Sequence, residues 1–181
     1  DLIYGCWCNG RRIGGMQMPP VNHLFVATIL KEAGHDVQFI DAQVDYDKYH
    51  KLKQEHFSGL DFVMILSSSN SYKEDLKTAQ QIKKENSKVK VVFFGSHPTF
   101  QPEACLKESA IDYVIIREPE MTIRDLIHRV TTGQSLKDLA GCGFKEQEKV
   151  TVNSFDGHFD MNELPIPDWT LLPRNVDYFN P

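Results

Sequence analysis

No run of apolar residues in this chain approaches the ~20 that a membrane-spanning helix needs; the apolar runs stop at strand length. There is no basic run either, and the net charge of -5 speaks against nucleic acid as a partner. Cysteine is scarce: Cys6, Cys8, Cys105 and Cys142, with only Cys6 and Cys8 close together. A C-x-C pair can bind metal or act as a redox couple, but no second pair completes a site. Free, reduced thiols of an intracellular protein are the expectation. No G-x-G-x-x-G follows a strand-like run, so the usual dinucleotide fingerprint is missing. Internal repeats and low-complexity tracts are absent too. No secretory leader is recognisable, and the cytoplasm is the expected compartment. The chain opens at Asp1 rather than Met and is expected to be a piece of a longer protein.

What is present is an ordinary soluble composition. The 181 residues, 41% hydrophobic and 25% charged, suit one domain with a tail. Leu2-Ile3-Tyr4 opens a first strand, and Val37 to Ile40 a second, closed by Asp41. Between them Asn22 to Ala33 has a helical apolar face, with Gly34 just beyond its end. Asp45 to His56 is charged and amphipathic, with Tyr49 and Leu52 inward. Phe62 to Leu66 and Val89 to Phe94 are apolar throughout, as strands buried on both faces of a parallel sheet are. Helices are expected over 75–84, 102–107 and 121–130, and a fifth strand from Tyr113 to Ile116. Strands alternating with helices indicate βαβ units. The expected fold is α/β, doubly wound and flavodoxin-like (Rossmann-like), with a five-stranded parallel sheet over residues 1–140. Gly143 to Asn153 reads as a hairpin turning at Glu146-Gln147-Glu148-Lys149. The tail is rich in proline, with Pro165, Pro167, Pro173 and Pro181 near Trp169 and Tyr178. Residues 141–181 are therefore taken as hairpin and linker.

Four loops carry the functional signal. They are Cys8-Asn9-Gly10 through Pro19-Pro20, Ser67-Ser68-Ser69-Asn70-Ser71, Gly95-Ser96-His97-Pro98-Thr99 and Arg117-Glu118-Pro119-Glu120. Each follows a strand-like run, and ligands of open parallel sheets bind beyond the carboxyl ends of the strands. Small polar residues at successive strand ends predict a flat, accessible platform. The serines also suit a turn that caps the next helix. Gly95 suits close approach of a ligand, Pro98 fixes the turn, and His97 packs on the ligand or bonds to it. Pro119 and its flanking glutamates suit a helix start, and two glutamates beside a crevice can hold amides or a metal. No second carboxylate cluster accompanies them, so no metal site and no catalytic residue is assigned. A hydrolase using His97 lacks an evident serine nucleophile with an acid partner.

The order of these segments resembles a known family. Pro19-Pro20 before an apolar helix, Lys31-Glu32-Ala33-Gly34-His35-Asp36-Val37, Asp41-Ala42, Gly95-Ser96-His97-Pro98-Thr99, and Ile111-Asp112-Tyr113-Val114 leading to Arg117-Glu118-Pro119-Glu120 resemble the N-terminal cobalamin (vitamin B12)-binding domain of radical S-adenosylmethionine (radical SAM) enzymes. Leu164-Pro165-Ile166-Pro167-Asp168 and Leu172-Pro173 resemble the connector that precedes the radical SAM barrel there. The resemblance implies cobalamin held from the strand ends, in a parent enzyme of methyltransferase or cyclase type. It implies cofactor contacts from Asn9, Pro20, Ser67 to Ser71, Gly95 to Thr99 and Arg117 to Glu120. The serine and Gly95 loops would follow the nucleotide tail or corrin edge, and Arg117 to Glu120 the corrin periphery. D-x-H-x-x-G, which supplies a cobalt-ligating histidine in other cobalamin proteins, is missing, as the radical SAM group implies. C-x-x-x-C-x-x-C is missing as well, so S-adenosylmethionine and a 4Fe-4S cluster are expected only in a separate C-terminal radical SAM domain. The other class kept open is a stand-alone flavodoxin-like module for another ligand such as flavin.

Overall fold

Val91, Val92, Phe93 and Phe94 are each at most 1% exposed, so the strand they form is covered on both faces. A computed structural model of the chain describes residues 3–4, 8–9, 19–41, 57–147, 149–157, 160–174 and 178. In chain order its elements are β1 (Ile3–Tyr4), β2 (Cys8–Asn9), α1 (Val21–Glu32), β3 (Phe62–Leu66), α2 (Tyr72–Glu85), β4 (Lys90–Phe94), α3 (Ser96–Phe100), α4 (Pro102–Lys107), β5 (Tyr113–Ile115), α5 (Glu120–Thr132), β6 (Cys142–Glu146) and β7 (Lys149–Val152). The main sheet has the order β3-β4-β5-β6-β7. Strands β3, β4 and β5 run parallel, and β6 and β7 add an antiparallel hairpin beside β5.

Successive side chains on a strand face opposite ways, so each central strand feeds two cores. Val91, Phe93 and Val114 pack with Ala79 and Ile82 of α2 and Cys105 and Leu106 of α4. Val92, Phe94 and Ile115 pack with Val26 and Leu30 of α1 and Ile123 and Leu126 of α5. Full burial of one such side chain contributes roughly 1.5–3 kcal/mol. Helices on both faces make the three-layer, doubly wound α/β arrangement that the alternation of elements implied. No described helix is long and apolar enough to cross a membrane.

The membership of the five-stranded sheet differs from expectation. Ile3–Tyr4 pairs antiparallel with Cys8–Asn9 in a separate ribbon. Val37 to Ile40 enters no ladder among the described residues. The hairpin supplies the last two strands instead. Gly143 permits this, because a Cβ there would meet Val114 Cγ2 at 2.5 Å and Leu106 Cδ1 at 3.1 Å. The hairpin turn lies where it was expected, with Glu146 paired to Lys149. The segment 45–56 lies outside the described residues.

Helix limits shift by a few residues. α2 starts at Tyr72 rather than Asp75, and α5 runs from Glu120 to Thr132. The short helix α3 stands where a loop turning at Pro98 was expected; proline is tolerated in a first turn, where its missing N–H has no helical partner.

The tail does not leave the domain directly. Asp168 accepts an ion pair from Lys31 at 2.5 Å. Its backbone N–H donates to Thr28 Oγ1 at 2.8 Å. Further on, the buried Tyr178 hydroxyl donates to Asp41 Oδ2 at 2.8 Å.

Candidate functional site

Because β3, β4 and β5 are parallel and paired in order, the segments after Leu66, Phe94 and Ile115 leave the sheet at one edge. Hydrogen bonds tie these three loops together. Ser67 N–H donates to Phe94 O at 2.8 Å, and His97 N–H donates to Ser67 O at 3.1 Å. Thr99 Oγ1 donates to Gly95 O at 2.8 Å. The same hydroxyl accepts from Arg117 N–H at 2.9 Å. Gly95 has φ +104°, and a Cβ on it would lie 2.8 Å from Ser67 O. Only glycine lets the second loop close on the first.

The edge is not the flat platform that small residues suggested. Ser67, Ser68, Ser71, Pro98, Pro119 and Glu120 form a buried floor. Ser69, Asn70, Ser96, Arg117 and Glu118 stand exposed as a rim, with Pro20, Gly95, His97 and Thr99 between. The reason is that a tight turn must satisfy its own backbone. Ser68 N–H donates to Ser71 Oγ at 2.9 Å. Ser71 N–H returns the bond to Ser68 Oγ at 3.3 Å. These two serines therefore serve the entry to α2. Ser67 differs: it is fully buried, and its hydroxyl lies by the Asp75 carboxyl without closing a hydrogen bond of good geometry.

Two carboxyls sit at this edge in low-dielectric surroundings. Burial pushes Asp75 up to about 6, against the opposing pull of the Ser71 and Ser67 hydroxyls beside it. Its Oδ2 nevertheless closes no hydrogen bond of good geometry. Glu120 is 7% exposed. Burial raises its pKa, its own backbone N–H opposes that, and the charge of Glu118 adds to it. Glu120 Oε2 also lacks a partner.

The His97 ring stacks on Tyr72 with centroids 4.0 Å apart and planes at 27°. Its Nδ1 lies 3.3 Å from Ser69 Oγ. Burial lowers its pKa, which leaves a neutral imidazole at neutral pH. Burial raises the Tyr72 hydroxyl above the ordinary phenol range, with Cys105 and Glu108 adding to it, so it stays protonated.

Pro20 precedes α1, whose His23 ring meets Phe94 edge-on at 5.9 Å; the start of α1 thus lies by the end of β4. Burial takes His23 down to about 4. Asn9 lies on β2 opposite Ile3. Residues 10–18, the rest of the first loop, and Cys6 lie outside the described residues. Sequence reasoning passed over Tyr72, Asp75 and His23. An aromatic or carboxylate within a few residues of a strand-end loop is the signal that could have found them.

A doubly wound sheet with helices on both faces and its strand-end loops gathered at one edge is an α/β domain of Rossmann-like form, whose ligands bind at that edge. Residues 14–127 match the B12 binding domain family, and the chain belongs to it. Cobalamin is the cofactor of such a domain. It is 30% identical over 169 residues to an uncharacterized methyltransferase of Pyrococcus horikoshii, covering 91% of this chain and 36% of that protein. It is 25% identical over 145 residues to an anaerobic magnesium-protoporphyrin IX monomethyl ester cyclase of a Synechocystis strain, covering 78% of this chain and 29% of that protein. The chain therefore spans about a third of the length of these relatives. Among solved structures, the cobalamin-dependent S-adenosylmethionine radical enzyme OxsB with aqua-cobalamin and S-adenosylmethionine bound shares the fold, with TM-score 0.69 and 21% identity over 84% of this chain and 22% of that one. The flavin alternative finds no support in these likenesses.

The residues present fit cobalamin. It is a broad ligand rimmed with amides, and the edge offers three linked loops with the polar side chains of Ser69, Asn70, Ser96 and Arg117 exposed along the rim.

Proposed function

We propose that this chain holds cobalamin at the carboxyl edge of its sheet on behalf of a longer radical SAM enzyme of methyltransferase or cyclase type. The loops Ser67 to Ser71 and Gly95 to Thr99 follow the nucleotide tail or the corrin edge. Arg117 to Glu120 lie at the corrin periphery, and Asn9 and Pro20 contribute from the first loop. The observation that carries this reading is the set of hydrogen bonds that ties Ser67 to Phe94 and His97, and Thr99 of the same second loop to Gly95 and Arg117. It makes one preorganised surface of three loops, which lowers the ordering cost of binding. Bound cobalamin supplies a cobalt able to carry a methyl group or an electron.

Residues 1–140 are the cofactor-holding unit. Residues 141–181 are the hairpin and the connector toward a radical SAM domain that carries the 4Fe-4S cluster and binds S-adenosylmethionine. In support, Ile166 is 85% exposed and Trp169 is 44% exposed on a tail otherwise anchored to α1. Apolar side chains held out in this way mark an interface. The cytoplasm suits the buried free thiols of Cys105 and Cys142. The net charge of -5 supports a partner list without nucleic acid.

Equilibrium dialysis with hydroxocobalamin, on the wild type and on Ser69→Trp, tests the seat. Ser69 is on the exposed rim, so the indole blocks the edge without entering the core. Loss of affinity by about tenfold or more is expected, a change of roughly 1.4 kcal/mol. Unchanged affinity in the variant overturns the placement.

A further inference from the structure

The polar cluster under the first strand-end loop is short of donors. Ser67, Ser68 and Ser71 are each at most 6% exposed. Asp75, in the first turn of α2, places its carboxyl beside the Ser67 and Ser71 hydroxyls. Ser71 has one hydroxyl proton, and the turn already uses it. Its Oγ donates to Ser68 O at 3.3 Å while accepting from Ser68 N–H at 2.9 Å. Ser67 Oγ and Asp75 Oδ2 are buried and close no hydrogen bond of good geometry. A buried ionised carboxylate needs several donors. Here it has the Ser67 hydroxyl, and gains a second only by drawing the Ser71 hydrogen out of the turn. A proton on Asp75 removes that demand and leaves the Ser68–Ser71 turn intact.

The same cluster is where two loops and a helix are joined. Ser67 N–H donates to Phe94 O, and Ser67 O accepts from His97 N–H. The second loop therefore hangs on the residue whose side chain meets Asp75. Ser71 O accepts from Asp75 N–H at 3.0 Å, which fixes the start of α2. Few charges face the carboxyl. Glu74 beside it on α2 opposes its ionisation and is itself paired with Lys77 at 2.7 Å. The sheet face under α2 carries Ile65, Val91 and Phe93, and the short turn Phe57–Gly59 near α2 holds no charged residue. Tyr72 stays protonated, and His97 stacked on it is neutral at neutral pH.

We infer that Asp75 is a positioning residue for the cofactor seat, a proton lock that holds the first two strand-end loops in their binding arrangement when protonated and loosens the serine turn when ionised. It rests on the proposed seat of cobalamin at this edge. A ligand laid over the exposed rim at Ser69 and Asn70 takes the cluster further from water, and burial favours the neutral carboxyl. Binding and protonation therefore strengthen each other by the same factor. Asp75 titrates at about 6 in the free chain and higher in the complex, so affinity falls as pH rises through that range.

The test is a titration with methylcobalamin, which carries no cobalt-bound water to titrate, on the wild type and Asp75→Asn at pH 5.5 and pH 7.5. The wild type is expected to bind about fivefold more weakly at pH 7.5, within the tenfold that a rise of about one in the Asp75 pKa on binding allows. Asp75→Asn keeps the size and cannot ionise. Its affinities at the two pH values are expected to agree within about twofold, close to that of the wild type at pH 5.5. An Asp75 that served stability alone would leave the wild-type gap in place, so a gap that survives in Asp75→Asn overturns the inference. Equal wild-type binding at both pH values overturns it, as does weaker binding at pH 5.5, the sign that protonation of His97 would give. Calorimetry of the wild type at pH 6.5, in two buffers of different ionisation heat, needs no variant to fold. Net proton uptake on binding is expected there, and release or no uptake overturns the lock. Failure to retain methylcobalamin at either pH removes the seat and the lock together, whereas the other outcomes leave the seat standing.

Discussion

Gly95 tolerates no side chain for two separate reasons. Its φ of +104° is a conformation that L side chains rarely adopt, and a Cβ would lie 2.8 Å from a backbone oxygen that cannot step aside. Gly95→Ala should cost about 2–4 kcal/mol in urea unfolding, the sum of local strain and a backbone clash. A loss under about 0.5 kcal/mol, the size of an ordinary surface change, would show that the two loops are not locked together. His97 is constrained differently, by the Tyr72 ring on its face and Ser69 at its Nδ1. With those contacts made and no D-x-H-x-x-G in the chain, no protein histidine is expected on cobalt. Electron paramagnetic resonance of bound cob(II)alamin should lack nitrogen splitting from an axial histidine. Splitting that vanishes in His97→Ala would refute this.

At the scale of elements, the start of α2 carries a pH dependence. Asp75 is raised from 3.8 to about 6, first by burial. A raised carboxyl binds its proton more tightly folded than unfolded. Its contribution is therefore fully present below the unfolded value of 3.8 and is lost as pH rises through about 6. The penalty above that range is about 1–3 kcal/mol for a mostly buried group. Glu120, raised as well, acts in the same sense at the start of α5. Asp75→Asn removes the first term, so the variant should be the more stable protein at pH 7.5. Its stability should also decline less than the wild type's between pH 4 and pH 7. Parallel curves for the two proteins would mean that Asp75 is not held in its buried setting.

For the whole molecule, the tail is the part whose attachment can be measured. Lys31 holds Asp168 well below the usual carboxylate range, at about 2, but both side chains are partly in water, and such pairs add little. The buried Tyr178–Asp41 bond matters more. Tyr178→Phe should cost about 1–3 kcal/mol, because a buried carboxylate loses a donor. It should also speed proteolysis near Trp169. Unchanged cleavage would mean that the strap is held elsewhere. The proposed division of labour leaves catalysis to a separate radical SAM domain: without C-x-x-x-C-x-x-C, the 181-residue chain should not cleave S-adenosylmethionine even after iron–sulfur reconstitution. Turnover by this chain, with cobalamin and a reductant, would sink the proposal of a separate radical SAM domain.

The apolar strands 62–66 and 90–94, the alternation with helices and the hairpin turn were legible in the sequence, because each depends on residues near one another along the chain. So were the loops of small residues at the strand ends and, through their order, the cobalamin family. The partners of the strands were not legible. Val37 to Ile40 has the composition of a strand but joins no ladder among the described residues, while the hairpin beyond α5 takes the place beside β5. Nor could the sequence separate Ser67 from Ser68 and Ser71, or reveal that Glu120 is buried beside an exposed Glu118. Burial and hydrogen-bond pairing belong to pairs of residues brought together across the sheet, such as Thr99 with Arg117 and Gly95 with Ser67. Local propensity carries no record of such pairs, so only the packed tertiary structure decides them.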